Sequence, residues 1–240
     1  MSTVAGTFMV VVLLCLWWAE LTTSYNPDED PDVHCLKSIK DSVEDPHNIL
    51  STWNFNINNG GIYMICGFAG IYCWSSEGKV MRIDLSDMGL KGHFPPELGS
   101  CKSLTSLDLS NNNLTGPIPR DISKSIPYIV ELDLSNNNFS GEIPSDLGNC
   151  SYLNYLDLGR NQLTGEIPRE LRQLSRLAYF NVSGNILSGE VPDFLVEKFG
   201  VYSYANNEGL CWGGLDSESK DAGEEKGVQE KRSYAKAYDS

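Results

Sequence analysis

The sequence is short of positive charge: 18 lysines and arginines stand against 32 acidic residues, a formal net charge of −14. That balance argues against nucleic-acid binding, since phosphate contacts need clustered Lys and Arg. An acidic surface instead favours solubility and basic partners. Long apolar runs are also scarce. The longest, Phe8–Ala19, is too short to cross a bilayer, which takes roughly 20 residues. The polar C-terminus lacks the hydrophobic tail of a lipid-anchor signal. The only histidines, His34, His47 and His93, are scattered, and the cysteine spacing fits no common zinc site. No nucleophile–base–acid set or phosphate loop is present. The sequence therefore predicts no catalytic residues, no metal and no cofactor.

Residues 1–24 read as a secretory signal. An apolar core is followed by Thr22, Thr23 and Ser24 before a cut, although the usual basic start is missing. Secretion permits disulfides. Six cysteines follow the signal: Cys35, Cys66, Cys73, Cys101, Cys150 and Cys211. Cys66 and Cys73, close in sequence, are expected to pair. Cys101 and Cys150 each sit three residues before a repeat start and are expected to be unpaired core thiols. Cys35 and Cys211 have no evident partner.

What the chain has in quantity is a repeat. Leu-x-x-Leu-x-Leu-x-x-Asn-x-Leu-x-Gly-x-Ile-Pro recurs from Val80, Leu104, Ile129, Leu153 and Leu177. A period of about 24 residues belongs to leucine-rich repeats, each giving a short strand and a return segment. Such units bury their apolar faces only by stacking, so the expected fold is an α/β leucine-rich repeat solenoid with five repeats and a cap at each end. Leu104, Leu107, Leu109, Leu114 and Ile118 illustrate the inward positions. Asn112, Asn137, Asn161 and Asn185 follow the strands, where a buried turn needs both donor and acceptor. Met88 stands in that place in the first repeat, so the asparagine ladder should begin one repeat later. The Gly and Ile-Pro segment should be an extended run off the main sheet.

The expected divisions are 1–24 signal, 25–79 N-terminal cap, 80–200 five repeats, 201–212 C-terminal cap and 213–240 a disordered polar tail. In the first cap an amphipathic helix is predicted over Asp32–Val43. A second short element begins at Ile49, and Trp53 and Trp74 should be cap-core residues.

Alternate strand residues should line an open concave face. There the candidate partner-binding residues are Arg82, Asp84, Asp108, Glu131, Asp133, Tyr155, Asp157, Arg160 and Tyr179. Tyr155 and Tyr179 occupy equivalent positions and are natural anchors. Asp84, Asp108, Asp133 and Asp157 form a column able to meet a partner's Lys or Arg, or a cation. The alternative is that the repeat demands Asp there whatever it binds. Sequons at Asn113, Asn138, Asn149 and Asn181 are candidate glycan sites. A glycan on Asn181 would limit a partner's reach along the concave face.

Three segments narrow the resemblance: Cys35–Pro46 with Leu50-Ser-Thr-Trp53, Ile65-Cys66-Gly-Phe68-Ala-Gly70-Ile-Tyr-Cys73-Trp74, and Asn207-Glu-Gly-Leu-Cys211. With the short repeat array, they resemble the extracellular domain of plant receptor-like pseudokinases that bind somatic-embryogenesis-type co-receptor kinases. The resemblance implies a right-handed plant-type superhelix and an apoplastic location, or the plasma membrane if the chain is part of a longer receptor. It also implies a partner that is another leucine-rich repeat ectodomain, and a role restraining immune or growth signalling by occupying the co-receptor. The family continues into a membrane helix and an inactive kinase, which the sequence does not contain. Its C-terminal cap has a second cysteine, which Cys211 lacks. The alternatives are a secreted inhibitor of a cell-wall-degrading enzyme and a truncated, non-functional receptor product.

Overall fold

The computed structural model describes residues 30–55 and 62–212. The expected signal and polar tail lie outside those residues. Helix α1 spans Pro31–Ser42. Asp30 caps it by accepting the Asp32 N–H at 2.9 Å, and Pro31 sits in the first turn, where a missing N–H costs nothing. Val33, Leu36 and Ile39 recur at helical spacing and are buried. The helix gives way to extended backbone at Val43, and the Asp32 carboxylate accepts the Val80 N–H at 2.9 Å, tying the cap to the first repeat. Trp53 is buried and stacks on Phe68, and its indole N–H donates to the Ala69 carbonyl. Trp74, also expected in the cap core, is instead 44% exposed. It follows strand β2 directly, on the outside of the sheet.

The strands run β1 (Val43–Glu44), β2 (Ile71–Cys73), β3 (Val80–Asp84), β4 (Lys91–His93), β5 (Ser106–Asp108), β6 (Asn113–Pro117) and β7 (Glu131–Asp133). They continue with β8 (Asn138–Glu142), β9 (Tyr155–Asp157), β10 (Gln162–Gly165), β11 (Tyr179–Asn181), β12 (Ile186–Val191) and β13 (Gly209–Trp212). One sheet has the order β2-β3-β5-β7-β9-β11. It is parallel except where β2 meets β3.

The glycine-proline segments are more than a loose extended run. They form a second sheet of order β1-β4-β6-β8-β10-β12-β13, parallel apart from β1. Gly116, Gly141, Gly165 and Gly189 take φ values of 79 to 84° there, a backbone that side chains resist.

Between the sheets lies one continuous core. Leu107, Leu132, Leu156 and Phe180, from successive strands, are all at most 1% exposed. Each fully buried aliphatic contributes roughly 1.5–3 kcal/mol. The asparagine ladder starts at Asn112, as its absence at Met88 implies. Asn112 Oδ1 accepts the N–H groups of Met88 and Leu90, while its Nδ2 donates to the carbonyls of Leu85, Leu109 and Ser110. Asn137, Asn161 and Asn185 repeat the scheme, and Asn207 adds a further member.

The cysteines divide differently from the sequence expectation. Cys66 pairs with Cys73, and Cys35 pairs with Cys101. Cys101 and Cys150 do hold equivalent buried positions, in a row with Ile126 and Leu174. Only Cys101 lies at the open end of that row, where α1 brings Cys35 within reach. Cys150 sits deeper in the stack and is free, and burial pushes its thiol up to about 12. Cys211 is free and exposed. No helix among the described residues is long and apolar enough to cross a membrane.

Candidate functional site

Sheet register places the predicted surface residues in two rows. Arg82, Ser106, Glu131, Tyr155 and Tyr179 stand side by side, with Tyr72 beyond Arg82. Asp84, Asp108, Asp133, Asp157 and Asn181 form the next row.

The second row is chiefly structural. In every strand the Asp or Asn side chain accepts the backbone N–H two residues on: Ser86, Ser110, Ser135, Gly159 and Ser183. These turns close the strands before the ladder asparagines. Asp157 is buried rather than presented to a partner. Its carboxylate also accepts from the Tyr179 hydroxyl at 3.1 Å and from Asn181 Nδ2 at 3.0 and 3.1 Å. Burial raises the Asp133 carboxyl; hydrogen bonds from Ser135 oppose this, and the charges of Asp157 and Asp108 add to it. Burial alone would also raise Asp84, but bonds from Ser86 and Arg82 hold it below the usual range. No cluster of three or more His, Cys, Asp or Glu suited to a metal occurs among the described residues.

The first row is more accessible. Tyr155 and Tyr179 stack face to face, with centroids 4.3 Å apart and planes 6° from parallel. Burial, then the charges of Asp133 and Asp157, raises the Tyr155 hydroxyl. Burial and the Asp157 charge likewise raise Tyr179. Both therefore remain donors at any physiological pH. At the other end Arg82 donates to Asp84 at 2.9 Å, lies 3.8 Å from Glu131 and rests against the Tyr72 ring. Arg160 belongs to neither row: it occupies the turn after β9 at φ 53° and is exposed.

The sequence reading missed a third line of side chains. The residues directly before the inward repeat starts include Ser103, Tyr128, Tyr152 and Arg176. Trp74 begins this line by donating its indole N–H to the Ser103 carbonyl at 3.5 Å. Tyr128 and Tyr152 lie with centroids 6.0 Å apart, and the Arg176 guanidinium sits 5.2 Å from the Tyr152 ring centre. Trp74, Tyr128 and Tyr152 are 44, 53 and 42% exposed, and Met81 at the start of β3 and Val130 just before β7 are half-buried. This strand-start flank is an aromatic stripe ended by a cation. The clue in the sequence was the 24-residue recurrence of tyrosine just outside the leucine consensus.

Two sheets, parallel but for one edge strand each and joined by a buried asparagine ladder, define a leucine-rich repeat solenoid with an open outer face. The chain matches the leucine-rich repeat N-terminal domain over residues 29–74 and leucine-rich repeats over 103–125 and 127–187. The crystal structure of the BIR2 ectodomain from Arabidopsis thaliana is 43% identical, covering 76% of this chain and 94% of that one at a TM-score of 0.72. A chain from the BIR3–SERK2 complex of the same plant is 41% identical, covering 75% and 95%, with a TM-score of 0.71. Full-length BIR2, an inactive leucine-rich repeat receptor-like serine/threonine-protein kinase, is 49% identical over 128 residues, 53% of this chain and 21% of BIR2. The chain spans about a fifth to a quarter of the length of the curated relatives it matches. It belongs to the plant leucine-rich repeat receptor family typified by the BIR2 ectodomain.

Proposed function

We propose that this chain is an extracellular, non-catalytic recognition module. It binds the leucine-rich repeat ectodomain of a SERK-type co-receptor kinase and regulates signalling by occupying it. The observation that carries the reading is 41% identity over 95% of a chain from the BIR3–SERK2 complex. The surface supports it. An interface core is rich in aromatics and Arg and poor in other charges, and the stripe of Trp74, Tyr128, Tyr152 and Arg176 has that composition. The Asp row is occupied by its own turns, so the contact centres on the strand-start flank. The neighbouring first row, with Glu131 and Tyr179 exposed, extends it.

Calorimetry with a purified SERK ectodomain at mildly acidic pH tests this. One-to-one binding at micromolar affinity or tighter is expected. Tyr152→Ala and Arg176→Ala should each weaken it by about tenfold or more, the scale of an interface anchor, with thermal midpoints unchanged. Asp133→Lys should weaken binding only if the contact reaches the second row. No binding by a folded, secreted protein would overturn the reading.

A further inference from the structure

The four sequons are chemically alike in sequence and differ in the folded chain. Asn113 is exposed, at the start of β6, and its side-chain amide makes no hydrogen bond among the described residues. Asn138 begins β8 one repeat later. It is half-exposed and uses only its oxygen, which accepts from Gln162 Nε2 at 3.3 Å, so its nitrogen makes no hydrogen bond among the described residues. Both belong to the second sheet, whose outer face also carries the sequon hydroxyls of Thr115 and Ser140.

Asn181 is the opposite case. Its oxygen accepts the Ser183 N–H, and its nitrogen faces both oxygens of the buried Asp157 carboxylate. A Cβ built on Gly159 would stand 2.6 Å from the same nitrogen, so that side is closed as well. A sugar on Asn181 Nδ2 would have to break these bonds and leave Asp157 buried without them, a large penalty. Asn149 falls between the extremes. Its nitrogen donates to Asp146 in an exposed pair that solvent can replace, so the fold does not decide its state.

We infer that Asn113 and Asn138 are N-glycosylated and that Asn181 is unmodified in the folded, secreted protein. In the transfer, the Asn Nδ2 forms a bond to C1 of a lipid-diphosphate-linked oligosaccharide. The C1–oxygen bond to phosphate breaks, the lipid diphosphate leaves, and one amide proton is lost to base. Transfer acts on the emerging chain, so selection at Asn181 falls on folding: a chain carrying sugar there is not recovered as native protein. The two sugars sit on strands that follow the ladder turns, whereas the aromatic flank precedes the first-sheet strands. They therefore leave the flank open.

The test is intact glycopeptide mass spectrometry on the full chain expressed through a plant secretory pathway and purified from the medium. Glycan is expected on the peptides holding Asn113 and Asn138, and none on that holding Asn181. Thr115→Ala and Ser140→Ala should each remove one glycan mass from the intact protein, and Ser183→Ala none. An unoccupied Asn113 or Asn138, or sugar on Asn181 in folded protein, overturns the inference.

Discussion

At the scale of single residues, the outer rows explain one departure from the repeat. Ser86, Ser110, Ser135 and Ser183 follow their strands, but Gly159 stands in the fourth. The fifth strand carries Asn181 where the others carry Asp, and its amide reaches back to Asp157 through the space a side chain at 159 would fill. Gly159→Ala should therefore cost about 1–3 kcal/mol by breaking that buried bond. Denaturant melts would show this, and a less than additive effect when combined with Asn181→Ala. Asp133 offers a test by pH. Its folded pKa is raised by burial above the ordinary 3.8, so its contribution is fully present below that value. That contribution is lost as pH climbs through the folded pKa. Asp133→Asn keeps an oxygen for the Ser135 N–H, as Asn181 does for Ser183, and removes the charge. Relative to the parent, the variant should gain stability between pH 4 and pH 7 in urea titrations. Asp84 is depressed and works the other way, losing its contribution as pH falls.

At the scale of elements, the disulfide from α1 to the first return segment holds the N-terminal cap down. Cys35 and Cys101 enclose a long loop, with a sequence separation of 66. Replacing both with serine should cost about 2–4 kcal/mol, read as a fall in the denaturation midpoint and faster proteolysis of residues 30–55. Helix α1, the strand positions and the asparagine ladder were legible because each is a local period or a short-range signal. The second sheet was less so: Leu-x-Gly-x-Ile-Pro alternates in and out, but its glycine and proline disfavour a strand assignment, and its pairing comes from stacking between repeats. The Cys35–Cys101 pairing was hidden because it depends on where a cap helix lands over a row that Cys101 and Cys150 share. The candidate site was half legible. The two rows followed from alternation, but how far the Asp side chains are consumed by their own turns shows only in the folded chain. The aromatic flank lies outside the consensus and was overlooked.

At the scale of the whole molecule, the two long faces differ in character. Asparagine amides, Thr and Ser hydroxyls mark the outer side of the second sheet, while aromatic rings and a guanidinium mark the strand-start flank. One-sided docking with one-to-one stoichiometry is the expected result, measurable in the calorimetric titration proposed above. The ladder adds a sense of direction. Each asparagine satisfies groups of the repeat before its own: Asn137 serves Leu114 and Leu109, and Asn207 serves Leu187 and Val182. A ribosome delivers the N-terminal residues first, so every coil of this spring is fastened only after the following coil has emerged. The coil that holds Leu187 waits for Asn207, twenty residues on, which makes that asparagine the clasp of the last described coil.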